Sequence, residues 1–321
     1  MTTIGFHASQ EQISPAQLLA DVQHAERAGF EAAMSSDHFM PWSQRQGHSG
    51  FTLSWLGAAL ATTTFPIGSV CAPGHRYHPA ILAQATATLG QMFEGRYWSA
   101  LGAGQLMNEH VVGGRWPSQE ERRSRVAEGA DLIRRLHRGE RITRHHQWTE
   151  VDEAYLFDRP KTPVPLYAAC VTPESAQLAA AWAEGIITLN QPGGAQREVL
   201  SAYRDAGGAG PAMLQVHLSW AETDQQAEAI AHDQWRTNVF GPPLDQDLPT
   251  PEHFDAASEE VSADRVRQAV WTSSSTTAHT EWIAEAAETF DAVYLHHVGQ
   301  HQQPWLDIAG EHILPDLQKI R

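Results

Sequence analysis

Lysine, cysteine and long apolar runs are scarce in this chain of 321 residues. The two lysines are Lys161 and Lys319, so a phosphate on any ligand must be held by arginine, backbone N–H groups or helix N-termini. The two cysteines, Cys71 and Cys170, stand in apolar, strand-like segments without the spacing of a metal site, which predicts reduced, buried thiols. No apolar run approaches the roughly 20 residues of a membrane span.

Basic charge is also in short supply. The 38 acidic residues outnumber the 22 basic ones, and the net charge of −16 argues against nucleic acid or an anionic membrane as the main partner. Most of the 18 histidines are scattered, and the clusters His145-His146, His296-His297 and His301 lack the i, i+4 histidine spacing with an acidic partner that is typical of a metal site, so no metal is predicted. The N-terminus enters a strand pattern without a signal-peptide core, and we expect a cytoplasmic protein that acts on a small molecule.

Strand-like and helix-like segments alternate along the whole chain. This pattern predicts one (β/α)₈ TIM barrel domain over residues 1–321, with insertions around 139–162 and 238–264. A doubly wound open sheet is the competing architecture, but the first strand lacks the glycine-rich turn that such a sheet favours. The predicted strands are 3–8, 32–36, 66–71, 97–101, 164–169, 186–189, 213–220 and 292–296.

The loop after the second predicted strand contains several titratable and aromatic side chains. Asp37, His38 and Trp42 follow it within seven residues, and the carboxyl ends of barrel strands are where catalytic groups gather. A single Asp-His pair is more often structural than catalytic: the aspartate caps the next helix and the histidine is hydrogen-bonded within the loop. Similar features at three other strand ends favour a functional role here.

Those other strand ends supply small and polar residues. Gly102 and Gly104 let a ligand approach the backbone, and Gln105, Asn108 and Glu109 offer groups suited to a heteroaromatic ring. Asn108 could equally be a helix cap. The segments 69–79 and 168–173 end the third and fifth strands, and tight-turn or capping roles explain each of them on its own.

Taken in order, these motifs resemble the luciferase-like monooxygenase superfamily. The residues that carry the likeness are the segment 36–42 (SDHFMPW) with 46–48 (QGH), 76–80 (RYHPA), 108–110 (NEH) and 115–117 (RWP). The likeness covers residues 1 to about 190. It is closest to the branch of glucose-6-phosphate dehydrogenase-like oxidoreductases that use the deazaflavin coenzyme F420.

The resemblance implies a role for individual residues. His38 corresponds to the base beside the reacting carbon, and Trp42 to a tryptophan that stabilises the reacting state. The segment Ser69-Val70 corresponds to a non-proline cis peptide against the deazaflavin ring. The other residues that match cofactor-contact positions are Asp37, Cys71, Ala72, Gly104 and Asn108, with Ala169 and Cys170 in part of the phosphate loop.

Several positions depart from that branch. Gln105 stands where the sugar-phosphate dehydrogenases have a glutamate, so either Glu109 takes over its proton transfer or the enzyme runs a different half-reaction. Cys170-Val171 replaces the glycine pair of the phosphate loop. The segments 188–192 and 267–270 offer no clear counterpart of the lysine and arginine that grip a sugar phosphate.

Three functions therefore remain open at this point. The first is an F420-dependent oxidoreductase that transfers a hydride between the cofactor C5 and a small organic substrate other than glucose 6-phosphate. The second is an FMN-dependent monooxygenase of the same superfamily, and the third is a cofactor-free barrel with a binding role. The resemblance also implies a homodimer, as is common in the family.

Overall fold

The computed structural model describes residues 2–146 and 149–320 and contains eleven strands within them. Every barrel strand that the alternation predicts is present, within two residues at each end. The strands are β1 (Thr3–His7), β2 (Ala32–Ser36), β3 (Ile67–Cys71), β4 (Tyr97–Leu101), β5 (Ile142–His145), β6 (Glu150–Ala154), β7 (Leu166–Ala169), β8 (Ile186–Leu189), β9 (Ala212–Ser219), β10 (Trp271–Thr272) and β11 (Ala292–His297).

Helices occupy most of the connections between these strands. Several of them begin at serine or proline signals, such as Ser14-Pro15 and His78-Pro79. The helices are α1 (Pro15–Ala28), α2 (Thr52–Thr62), α3 (Pro79–Met92), α4 (Leu106–Glu109), α5 (Gln119–His137), α6 (Pro173–Ala179), α7 (Gln196–Asp205), α8 (Asp224–Trp235), α9 (Leu244–Asp247), α10 (Pro251–Ala257), α11 (Ala263–Arg267), α12 (Thr276–Thr289), α13 (Gln303–Ile308) and α14 (Leu314–Ile320).

Eight of the strands close into a parallel barrel in the order β1-β2-β3-β4-β7-β8-β9-β11. Closure is direct, because β11 pairs with both β9 and β1, and Thr3 lies opposite Ala292. The (β/α)₈ prediction is therefore confirmed and the open-sheet alternative is wrong. All the carboxyl ends lie at one rim.

Aromatic side chains fill the inside of the barrel below that rim. Trp98 and Tyr294 meet there with ring centroids 5.8 Å apart. Gly68 and Gly5 make room for them: a Cβ at Gly68 would come within 2.0 Å of Trp98, and one at Gly5 within 2.3 Å of Tyr294. The lower half is thus a packed core, and among the described residues the space for a ligand lies at the carboxyl-terminal rim.

The two predicted insertions contain short elements of their own. The first carries the antiparallel hairpin β5–β6, and residues 147–148 between these strands lie outside the described residues. The second carries α9 and α10, which lie over the rim. The predicted strands do not include the short strand β10. A π-helical turn (Ala309–Ile313) separates α13 from α14.

Candidate active site

A cavity of about 310 Å³ opens at the carboxyl-terminal rim of the barrel. Its wall is built from the loops after β1, β2, β3, β4 and β7 and from residues within β8, β9 and β11, together with α5, α8 and the second insertion. The residues on its wall are His7, Ser9, Glu11, Ser36, Asp37, His38, Trp42, Val70, Ala72, Gly102, Ala103, Gly104, Gln105, Asn108, Glu109, Gln119, Arg123, Ala169, Cys170, Val171, Thr172, Ser175, Ile187, Thr188, Leu189, Gln215, His217, Trp235, Asn238, Phe240, Asp245, Gln246 and His296.

Most residues that the sequence singled out meet at this cavity. The exceptions are Ser69 and Cys71, whose side chains point into the layer between strands and helices. Ser69 Oγ lies 2.7 Å from the Tyr97 hydroxyl, and Cys71 Sγ lies 3.4 Å from Ser99 Oγ. The residues that do line the cavity are Asp37, His38, Trp42, Val70, Ala72, Gly104, Gln105, Asn108, Glu109, Ala169 and Cys170.

His38 forms a buried pair with a carboxylate that sequence reasoning missed. Its Nδ1 lies 2.7 Å from Glu11 Oε1, and the two side chains are 19% and 5% exposed. Burial alone would raise the pKa of Glu11, but attraction to His38 and the hydrogen bond with it lower that pKa to about 2. The carboxylate therefore stays ionised and fixes the imidazole through Nδ1, which leaves Nε2 as the nitrogen that can serve a substrate. Glu11 follows β1 at the same rim as His38, and this placement is the signal that could have identified it.

The loop that carries His38 is held from both sides. Trp42 packs edge-on against His38, with centroids 5.4 Å apart, and against Phe254 of the second insertion at 5.2 Å. On the other side, Asn108 Oδ1 accepts hydrogen bonds from the backbone N–H groups of Phe39 and Met40 at 2.9 and 3.2 Å. Asn108 is thus a loop anchor as well as a wall residue.

Asp37 and Glu109 share one arginine. Arg76 Nη2 donates to Asp37 Oδ2 at 2.7 Å, and the Arg76 backbone N–H donates to Glu109 Oε2 at 2.7 Å. The Tyr77 hydroxyl donates to the same Asp37 oxygen at 2.6 Å. Burial raises the pKa of Glu109, although its contacts with Arg76 oppose this shift. Glu109 is therefore a carboxyl group whose proton is held more tightly than usual, beside the cavity.

Gln105 stands at the N-cap position of α4, next to Glu109 in space. Its side-chain oxygen accepts a hydrogen bond from Asn108 Nδ2 at 3.2 Å. Gly104 precedes it with φ of +76°, and a Cβ there would lie 2.9 Å from Glu109 Cγ. Glycine at this position therefore lets the Gln105 and Glu109 side chains approach the same part of the wall.

Small residues make up one wall of the cavity. Val70, Ala72 and the segment 102–104 contribute this wall. The cis peptide that the resemblance implied at Ser69-Val70 is wrong: in the described part of the chain the cis bond is Pro242-Pro243. The reason lies in β3 itself, where Val70 pairs in register with Ser36 of β2 and Ala100 of β4, so the strand continues without interruption.

Neutral imidazoles line the inner end of the cavity. Desolvation by burial lowers the pKa of His7 to about 4 and that of His217 to about 3, and it holds the pKa of His296 well below its usual range. His7 stacks on His296 with centroids 4.3 Å apart, and Trp235 packs against His217 and His296. This end of the site therefore offers hydrogen-bonding groups without positive charge.

The loop after β7 forms the opposite side of the rim. Thr172 caps α6 through a reciprocal hydrogen-bond pair with Ser175, and both residues line the cavity. Burial raises the pKa of Cys170 to about 12, so its thiol is an inert wall group. Arg123 of α5 reaches the cavity beside this loop.

No cluster of three or more histidine, cysteine or carboxylate side chains with metal-binding geometry occurs within residues 2–146 and 149–320. In the same ranges, no helix is both long enough and apolar enough to cross a lipid bilayer.

Comparison with protein families gives one broad match. Residues 1–295 match the model described as luciferase-like monooxygenase. The F420-dependent glucose-6-phosphate dehydrogenase of Nakamurella multipartita is 33% identical over 328 residues, which cover 98% of this chain and 96% of that protein. The F420-dependent hydroxymycolic acid dehydrogenase of Mycobacterium tuberculosis is 31% identical, with coverage of 98% and 88%.

Solved structures agree with the fold. An F420-dependent secondary alcohol dehydrogenase in complex with an F420-acetone adduct is similar with a TM-score of 0.90 and 27% identity, and the match covers 98% of this chain and 99% of that one. The coenzyme F420 dependent tetrahydromethanopterin reductase from Methanopyrus kandleri shares the fold, with a TM-score of 0.77 at 18% identity.

Proposed function

Because the chain belongs to the luciferase-like monooxygenase family, we propose that it is an F420-dependent oxidoreductase that transfers a hydride between the cofactor and a small, uncharged organic substrate. The relatives that match nearly its whole length carry F420 in their names, and so does the similar structure at 27% identity. The observation that carries the proposal is the Glu11–His38 pair on a cavity that has one wall of small residues.

The residues present fit a deazaflavin. Val70, Ala72 and the segment 102–104 would lie against a planar ring, because none of them carries a bulky side chain into the cavity. Among the described residues, Asp37 Oδ1 is buried without a hydrogen-bond partner, and Asp37 lines this cavity. A buried carboxylate oxygen without a donor is costly, and a ring N–H of the cofactor would satisfy it.

When bound, F420 supplies a carbon centre, C5, that accepts or gives a hydride. His38 manages the proton that must move with it. In the oxidising direction the imidazole takes the proton of a substrate hydroxyl, and the ionised Glu11 stabilises the imidazolium that forms. In the reducing direction the same pair returns the proton to a carbonyl oxygen. Trp42 and Phe254 keep water away from this exchange.

Glu109 is the better candidate for proton exchange with the cofactor itself. An amide such as Gln105 cannot carry a proton near neutral pH, whereas Glu109 is a buried carboxyl group with a raised pKa on the same wall. Gln105 would then orient the ring by hydrogen bonding. Ser69 and Cys71 would contribute backbone only, since their side chains point away.

The proposed substrate is not a sugar phosphate. Asn190 Nδ2 donates a hydrogen bond to the Ala269 carbonyl at 2.9 Å, and Asn190 Oδ1 accepts one from the His217 backbone N–H at 2.8 Å. Arg267 is exposed and pairs with Glu228 and Asp264 on the outer surface. Neither segment therefore brings a cation to the inner end, where the neutral imidazoles of His7, His217 and His296 suit a hydroxyl or carbonyl group. These neutral groups do not attract the doubly charged phosphate of a sugar phosphate.

Titration of the purified protein with F420 and with FMN tests this proposal. We expect F420 to bind with quenched fluorescence at micromolar concentration or below, and FMN to bind at least ~10-fold more weakly. Preferential FMN binding, or a flavin spectrum in the protein as isolated, would instead identify an FMN-dependent monooxygenase. Binding of neither cofactor would leave a barrel with a binding role and refute the proposal.

We also propose a cell compartment and an oligomeric state. Both cysteines are free and buried, which is compatible with the reducing cytoplasm as its compartment. A homodimer is proposed from the family resemblance.

A further inference from the structure

The cavity wall has little positive charge to offer an anionic ligand. Of the described residues that line it, Arg123 is the one lysine or arginine, whereas Glu11, Asp37, Glu109 and Asp245 are acidic. Arg76 is nearby but already neutralises Asp37 and contacts Glu109. An anionic part of a ligand therefore has one permanent cation to use in this cavity.

Arg123 lies across the barrel from the reacting groups. In the strand order, the loop after β7 is four positions from β1, which is the opposite side of an eight-stranded barrel. Glu11 follows β1, whereas Arg123 lines the cavity and pairs with Glu174, in the helix that follows β7. A ligand with its ring near His38 and an extended tail would place that tail toward Arg123.

The guanidinium of Arg123 pairs with a carboxylate that a ligand anion can displace. Its Nη1 lies 2.6 Å from Glu174 Oε1 and its Nη2 donates to Glu174 Oε2 at 2.9 Å. Arg123 is 17% exposed but Glu174 is 67% exposed, so the carboxylate is solvated and screened. The pair is bidentate, but its carboxylate is on the solvent side, so Glu174 can move into water when a ligand anion takes its place at the guanidinium.

We propose that Arg123 binds the phosphodiester group in the tail of F420 and replaces the glycine cradle that this chain lacks. This inference rests on the proposed function, because F420 is its ligand. Cys170-Val171 occupies the place of the glycine pair, and the Val171 side chain restricts how closely a phosphate can approach the backbone. A guanidinium fork supplies two N–H donors and a full charge from the side of α5.

Binding measurements with two ligands test the role of Arg123. The first is F420, and the second is the same deazaflavin truncated at its ribityl group, which has no phosphate. We expect Arg123→Gln to weaken F420 binding by about 10- to 100-fold, the range typical of a lost charge-assisted hydrogen bond. Binding of the truncated ligand should change by less than about twofold, and Arg123→Lys should recover part of the F420 affinity.

Two further variants act as controls. Glu174→Gln removes the competing carboxylate, so we expect F420 to bind as tightly as in the original protein or more tightly. Arg197→Gln removes the same charge from an exposed pair with Glu285, away from the cavity, and should leave both affinities unchanged.

The outcomes separate this inference from the proposed function. If Arg123→Gln binds F420 as well as the original protein, or weakens both ligands equally, Arg123 is not the tail-binding residue while the function stands. If the original protein binds neither ligand, the proposed function falls and the role of Arg123 falls with it.

Discussion

His38→Ala should lower kcat by about 10²- to 10⁴-fold, the usual contribution of a positioned general acid or base. The reason is the 2.7 Å contact between His38 Nδ1 and Glu11 Oε1, which fixes the ring so that Nε2 handles the substrate proton. Glu11→Gln should lower kcat in the same direction but less, because a glutamine still contacts the ring without stabilising its charged form. Rapid-mixing measurements of hydride transfer at C5, followed by the loss of F420 absorbance, give both numbers.

A matched pair elsewhere on the chain controls for charge and packing. His24 and Asp307 form the same kind of contact, at 2.8 Å, on the outer surface. We expect His24→Ala to leave hydride transfer unchanged. If His38→Ala kept the original rate of hydride transfer while binding F420 normally, the pair would have no role in the chemistry.

The second large effect concerns acid stability. Among the described residues, burial disfavours the charged form of six buried histidines and lowers their pKa: to about 4 for His7, His279 and His297, to about 3 for His217, and below the usual value for His137 and His296. In the unfolded chain each returns to about 6.5. Below that pH the unfolded state binds more protons than the folded state, so the free energy of unfolding falls as the pH falls from about 6.5 toward 4.

The expected slope is large because the contributions add. Each histidine lowers the free energy of unfolding by at most about 1.4 kcal/mol per pH unit in this window. His7, His217 and His296 interact, so their contributions belong to the group and not to each residue separately. Urea unfolding between pH 7.5 and 4.5 measures it, and the midpoint should fall steadily below pH 6.5. His279→Gln should reduce the slope, whereas replacement of the exposed His145 should not. A constant midpoint from pH 7.5 to 5 would contradict these protonation states.

The barrel was predictable because its signals are local. Helices begin at Ser14-Pro15 and His78-Pro79, and buried strands such as β2 and β4 are short apolar runs followed by polar loops. The inner and outer faces of β3 follow from the alternation of side chains along a strand, so the outward direction of Ser69 and Cys71 was in principle also readable.

The partners within the site were not predictable, because they depend on closure of the barrel. Glu11 meets His38 only because β1 pairs with β2, and Gln12 reaches His296, 284 residues away, only because β1 also pairs with β11. Arg76 likewise acquires its role from Asp37 and Glu109, which come from two other strands. No local pattern links Glu11, Gln12 or Arg76 to the partners that they contact in the folded barrel.

A crystal structure of the protein with F420 bound would show whether the ring occupies this cavity. We predict that the deazaflavin ring lies against Val70, Ala72 and Gly104, with the imidazole of His38 on the side of C5 and the tail directed toward the loop after β7. A ring bound outside this cavity, or one whose C5 faces away from His38, would contradict it.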